Sequence, residues 1–303
     1  MSARITNGML HRSVLGDLNG SAARLGRTYQ QMSSGQRITR PSDDPYGTAR
    51  ALTLRQDLSE IGQHLRNVQD GQGWTQASDA ALGEIADSVR RARTLVVGAG
   101  NDVGGQAART AAAAEIDQLI DAIKGAANSS YGGNRLFAGA ATGTAPYAVG
   151  ASDAYAGDHG TITRTIGPAV DLPINADLGG RVLGEGGGDG LLLSALRDVA
   201  AHLRGGTVAD ADALRGHDLR QLDLHLASLT QVRTEVGAAG NRLDGAQARL
   251  EQLRESADDQ RSRVEEADAA STMIDYATQQ AAYQAALRAG SSIVQLSLID
   301  FLR

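Results

Sequence analysis

The sequence predicts a mainly α fold: a long antiparallel helical bundle, a coiled-coil rod carrying a small inserted β-rich module, with the N- and C-termini together. Three observations carry that expectation. Apolar residues recur at alternating spacings of three and four towards both ends of the chain. Between Tyr131 and Gly190 that period vanishes and Gly, Thr and Asp take over. The aromatic inventory is 2 Phe, 1 Trp and 7 Tyr, so the core must come from Ala, Leu, Val and Ile. Small aliphatic side chains suit helices packed along their length better than an aromatic-walled ligand pocket.

The first helix shows its seam in Leu15, Leu18, Ala22, Leu25, Tyr29 and Met32. Ser33, Ser34 and Gly35 end it, Gly35 being a natural C-terminal cap. The turn that follows holds Pro41, Asp43, Asp44 and Pro45. Pro41 cannot continue a helix, while Asp44 before Pro45 fits an N-cap with proline at the first helical position. The second helix carries Leu54, Leu58, Ile61, Leu65 and Val68; after Gly71 and Gly73 the seam resumes in a shifted register with Leu82, Ile85, Val89, Ala92 and Val96. A third helix is expected over 107–127 on Ile116, Leu119 and Ile123.

In the middle, Thr161 to Ile166 is β-prone, Gly167-Pro168 is a turn dipeptide, and Val170, Leu172 and Ile174 alternate, which predicts a β-hairpin. Gly184 to Gly190 reads as a linker, with Asp189 capping a helix that opens at Leu191. Leu229, Val232, Val236, Ala239, Leu243, Ala246, Leu250, Leu253 and Ala257 hold one unbroken heptad register. The final helix repeats the spacing on Met273, Ala277, Gln280, Gln284, Leu287, Ser291, Val294, Leu298 and Phe301, a seam only half apolar. The expected organisation is 1–40 as an N-terminal assembly helix, 41–140 as half of the rod and 141–185 as the β module. The other half of the rod follows over 186–265, and a C-terminal assembly helix over 266–303.

Composition narrows the function. The net charge is −6 and the single lysine is Lys124, so there is no basic stripe for nucleic acid. Without cysteine there is no disulfide framework, thiolate metal site or Cys nucleophile. No apolar run is long enough for a membrane span, and the polar stretch from Met1 to Leu10 lacks the apolar region of a cleaved signal peptide. Asp198 and His202 share a helix face at metal-ligand spacing, but no third ligand is legible beside them. Asp158-His159 sits in a glycine-rich turn with nothing visible to orient it, and Asp43-Asp44 reads as capping rather than acid–base chemistry. No catalytic, cofactor or metal site is expected. The amphipathic ends remain: Leu15, Leu18, Leu25, Tyr29, Met32, Met273, Leu287, Val294, Leu298 and Phe301 are the expected partner interface, on terminal helices whose gapped seams call for a second chain.

Several segments carry a resemblance. Met32-Ser33-Ser34-Gly35-Gln36-Arg37-Ile38 is similar to the "LSSGxRI" turn of the bacterial flagellin superfamily. Arg40-Pro41-Ser42-Asp43-Asp44-Pro45 resembles the "NPSDDP" of its hook-associated members, and Leu136-Phe137-Ala138-Gly139 their "FAG". Tyr155-Ala156-Gly157-Asp158-His159-Gly160, Arg233 to Ala238 with Asn241-Arg242-Leu243, and Ser297 to Leu302 resemble further segments in the right order. Glu265-Glu266-Ala267-Asp268 is closer to the "EDAD" of flagellin itself. The resemblance implies a structural, non-enzymatic subunit of the extracellular flagellum, exported through the type III channel without a cleaved signal and bound beforehand by a cytoplasmic export chaperone. It would form a homo-oligomeric ring between hook-associated protein 1 and the first layer of flagellin. A short flagellin, the filament subunit, is the alternative.

Overall fold

Helix α2 (Pro45–Gly100) begins on its proline, with the Asp44 carboxylate taking the Gly47 N–H at 2.8 Å as an N-cap. With α1 (Asn7–Ser34), α6 (Leu219–Glu265) and α7 (Ala269–Phe301) it supplies the long helices of a mainly α fold. Between α2 and α6 come α3 (Gly105–Ala127), α4 (Leu192–Gly205), α5 (Val208–Ala213) and two antiparallel hairpins, β1 (Ser130–Tyr131) with β2 (Asn134–Arg135) and β3 (Thr163–Gly167) with β4 (Val170–Pro173). The computed structural model describes the backbone over 7–100, 105–150 and 152–301; side chains beyond residue 291 lie outside the description. The chain divides into two units, residues 1–60 with 253–303 and residues 61–252.

In the second unit α2 runs antiparallel to α6, tied by Gln72 to Asp244 at 2.7 Å, Asp79 to Arg233 at 2.6 Å and Arg93 to Asp223 at 2.7 Å. The predicted seams face each other, Leu82, Ile85, Val89 and Val96 being buried with Leu229, Val232 and Val236; Leu222 extends the α6 side, while Leu253 of the predicted series is exposed instead. The register shift at Gly71 and Gly73 is not a break, since α2 is continuous. A side chain at Gly71 would press on the Leu243 methyls, so the glycine lets α6 approach closely. Helices α3 and α4 pack together and complete this core with Ile116, Ile120, Ile123, Leu196, Val199 and Leu203.

The β3–β4 hairpin stands where the alternation placed it, with a bulge between Thr165 and Gly167. Its inward residues Ile166 and Leu172 cover Leu65, Val68, Leu243, Ala246 and Leu250. The Thr165 carbonyl accepts from Asn67 Nδ2 at 2.8 Å, and Arg164 meets Asp70 at 2.7 Å. The short β1–β2 hairpin turns on Gly132 and Gly133, both at positive φ.

Three local expectations need correction. Asp189 does not cap α4: the N-cap position is Leu191, with no side-chain cap, and the Asp189 carboxylate instead gathers the N–H groups of Glu185, Gly186 and Leu191. The glycine segment therefore folds round that carboxylate as a turn. Nor is Asp158-His159 unsupported. Asp158 Oδ1 accepts from Ala140 at 2.5 Å and Gly160 at 2.9 Å, and those bonds hold its carboxyl below the usual carboxylate range. His159 stands between Asp177 at 3.0 Å and Glu185 at 3.1 Å, contacts that a reading of isolated segments cannot supply.

The same loop explains Gly139. Its φ is +66°, and a Cβ there would overlap the Asp158 carbonyl oxygen. Gly139→Ala is expected to destabilise the second unit by roughly 2–4 kcal/mol, combining left-handed strain with a backbone clash. Thermal unfolding followed through Trp74, the one tryptophan, which lies edge-on to Tyr131 at 6.5 Å, measures it.

His225 is buried on α6, and burial lowers its pKa. The unfolded chain takes up this proton near pH 6.5 while the folded one resists it, so stability falls as the pH drops below that value. Unfolding midpoints measured from pH 7.5 down should show this slope, and His225→Phe should flatten it.

Candidate assembly surface

Helices α1 and α7 pack antiparallel in the first unit. Tyr29 meets Tyr276 at a ring separation of 6.2 Å, and a Cβ on the buried Gly290 would touch Val14 and Leu18. The packed stripe of α1 is Val14, Leu18, Ser21, Leu25 and Thr28; that of α7 is Thr272, Tyr276, Gln279, Tyr283, Ala286 and Gly290. Both run at spacings of three and four, the geometry of a left-handed helix pair.

The packed stripe of α7 is displaced by one residue from the seam read off the sequence. Met273, Ala277, Gln280, Gln284, Leu287 and Ser291 all face outward. On α1 the predicted seam splits: Leu18 and Leu25 are half-buried against the partner helix, while Leu15, Ala22, Tyr29 and Met32 are exposed. Each terminal helix thus carries two neighbouring stripes, one used within the chain and one open. On the open stripe Leu15 is 60% exposed, Met273 63% and Leu287 45%; Tyr29, 55% exposed, stands at its edge with one side of the ring against Tyr276. Val294, Leu298 and Phe301 belong to the same predicted series; their side chains lie outside the described residues.

The turn joining α1 to α2 is tightly bonded. Gly35, at φ +68°, closes α1 on the Gln31 carbonyl. Asp43 Oδ2 collects the Thr39 hydroxyl at 3.0 Å and the Arg40 N–H at 2.9 Å, which lower its pKa. The turn then meets the α6–α7 connection: Arg37 N donates to the Glu265 carbonyl at 2.7 Å, Ala267 N to that of Gly35 at 2.9 Å, and the Arg37 guanidinium to that of Val264. Pro41 and Pro45 flank the aspartates and are exposed.

The other candidates raised by the sequence are structural. His202 does not join Asp198 as a ligand pair; its Nδ1 faces the buried Asp218 carboxylate at 2.8 Å. Among the described residues no three His, Asp or Glu side chains converge as a metal site. Sequence reasoning missed Lys124. Its ammonium is fully buried in α3, 2.5 Å from Asp153 Oδ1 and 2.7 Å from the carbonyls of Gly150 and Ser152. Arg197 braces Asp153 from α4. A lone lysine in an otherwise Arg-based chain was the one available signal.

Paired N- and C-terminal helices bearing an unused apolar stripe are matched by two family models. The bacterial flagellin N-terminal helical region covers residues 5–142, and the flagellin C-terminal helical region covers 219–302. The chain belongs to the bacterial flagellin superfamily. It is 25% identical over 322 residues to the flagellar hook-associated protein 3 of Salmonella typhimurium, spanning 99% of this chain and 100% of that one. It is also 25% identical over 304 residues to flagellin FlaB2 of Treponema pallidum, spanning 97% of each. The crystal structure of the flagellar junction protein FlgL from Legionella pneumophila shares the fold, with a TM-score of 0.56 at 13% identity over 73% of this chain and 100% of that one. Members of this superfamily are structural components of the flagellum, and this flagellin-type chain is one of them.

Proposed function

We propose that this chain is the adaptor subunit of the hook–filament junction and that it assembles through the open stripes of α1 and α7. The observation that carries the assembly reading is the second stripe. Met9, Leu15, Tyr29, Met32, Met273, Ile274 and Leu287 are exposed on two helices whose inner faces are already satisfied. Seven large apolar side chains left in water along one helix pair favour a protein interface.

Full-length similarity to a hook-associated protein 3, with the Arg40 to Pro45 turn, favours the junction over the filament. The make-up of the α7 stripe agrees. Met273 and Leu287 supply adaptable apolar contact while Gln280 and Gln284 supply hydrogen bonds, so one surface can meet two different neighbours. In this reading the subunits form a ring, with hook-associated protein 1 on one side and flagellin on the other. Before export a cytoplasmic chaperone covers the α7 stripe, and the chain leaves without a cleaved signal.

Full similarity to FlaB2 keeps the filament subunit as the second reading. Immunogold labelling of intact flagella separates them. A junction subunit gives gold at one point per filament, at its base; a filament subunit gives gold along the whole length.

A further inference from the structure

The chain has no cysteine and four methionines, Met1, Met9, Met32 and Met273, so every sulfur it carries is a thioether. Met1 lies outside the described residues. The other three stand on α1 and α7 and are between 36% and 63% exposed. Residues 61–252 hold no methionine, and neither packed stripe of α1 or α7 includes one. Methionine ordinarily fills gaps in a core. Here the core is built largely from Leu, Ile, Val and Ala, and the described sulfur is confined to the surface that the assembly reading buries.

An exposed thioether reacts with a hydroperoxide such as hydrogen peroxide. The sulfur attacks one peroxide oxygen and gives up two electrons as the O–O bond breaks. The new S–O bond keeps that oxygen, and its proton passes to the departing hydroxide, which leaves as water. The product is a sulfoxide, a polar group on what was an apolar side chain. In the free chain water solvates it, and no packed contact changes. Against an apolar neighbour the same oxygen is buried without a donor, which is costly.

We propose that Met9, Met32 and Met273 are an oxidation-sensitive modification site: a hydroperoxide converts them in the free chain, and the oxidised chain stays folded but is excluded from the flagellum. The inference rests on the assembly reading above and adds a chemical control to its apolar stripe.

The purified chain is first treated with dilute hydrogen peroxide. Peptide mass spectrometry should find sulfoxide at all three positions, while the melting transition followed through Trp74 is unchanged. Sulfurs that resist in the folded chain but oxidise in urea overturn the proposal, and so does a transition lost on oxidation. Cells lacking the parental gene then express either the parent chain or Met9→Leu with Met32→Leu and Met273→Leu. Peroxide is raised until most of the parent chain released into the medium carries sulfoxide at Met273. Each culture is scored against its own untreated sample, so a change in basal assembly drops out. Hooks bearing filaments should fall at least tenfold with the parent chain and less than twofold with the leucine chain. Equal falls overturn the proposal, as does sulfoxide as abundant in isolated flagella as in the medium. Met273→Asp with Leu287→Asp separates the two ideas: if that change leaves filaments intact, the assembly reading itself has failed.

Discussion

Lys124→Met is expected to cost the second unit about 3 kcal/mol, because it leaves the nearly buried Asp153 carboxylate with Arg197 as its one remaining cation and strips a charged hydrogen-bond donor from the site. Asp153 is 9% exposed, and the lost ammonium also leaves the Ser152 carbonyl without its donor, while that of Gly150 keeps Arg197 Nη2 at 3.3 Å. For a unit of this size the melting temperature should fall by roughly 10 °C. Lys124→Met with Asp153→Asn should recover part of the loss, since removing both charges is milder than removing one. Acidification should mimic the single change. Burial raises the Asp153 pKa, but hydrogen bonds from Arg197 and Lys124 outweigh it, and the carboxyl sits below its ordinary range. Its folded pKa is depressed, so its contribution is complete above the unfolded value near 3.9 and is lost as the pH falls through the folded value. A Lys124→Met chain as stable as the parent would show that the pair holds nothing together.

The second large effect belongs to the open stripe. Met273→Asp with Leu287→Asp should leave the isolated chain folded, because both side chains already face solvent and surface changes cost within about 0.5 kcal/mol. In the proposed assembly the same positions become buried. Each apolar side chain buried there contributes about 1.5–3 kcal/mol, and a carboxylate in its place adds a desolvation cost. The pair should therefore weaken association by a factor on the order of 10³ or more, and flagella should lack attached filaments. Calorimetry of the purified variant beside filament counts in cells separates loss of assembly from loss of folding. By contrast, Ala286→Asp acts on the inner stripe and should lower the stability of the α1–α7 pair itself.

These two sites differ in how far the sequence exposes them. The seams of α2 and α6 are legible because Leu82, Ile85 and Val89 on one and Leu229, Val232 and Val236 on the other are apolar at every step of the period, and each buries where it should. The terminal helices carry two adjacent stripes, and periodicity alone favours the more apolar one. In α7 that is Met273 and Leu287, yet the intrachain pairing uses Thr272, Tyr276, Gln279, Tyr283, Ala286 and Gly290. The choice follows from the partner surface: Gly290 admits Val14 and Leu18, and Tyr276 lies against Tyr29. No single-helix pattern contains that information. The Lys124 site was hidden for a related reason, since its partners Gly150, Ser152, Asp153 and Arg197 sit on a loop and a helix that only the fold brings together. The Asp44 cap was legible because capping depends on residues a few positions apart.

Deletion of the gene tests the junction role most directly, with hooks, filaments and secreted protein measured in the same culture. The expected result is intact hooks without filaments, and unassembled flagellin released into the medium because its first layer has nothing to build on. Hooks without filaments and no released flagellin would instead identify the chain as the filament subunit, and contradict a junction role.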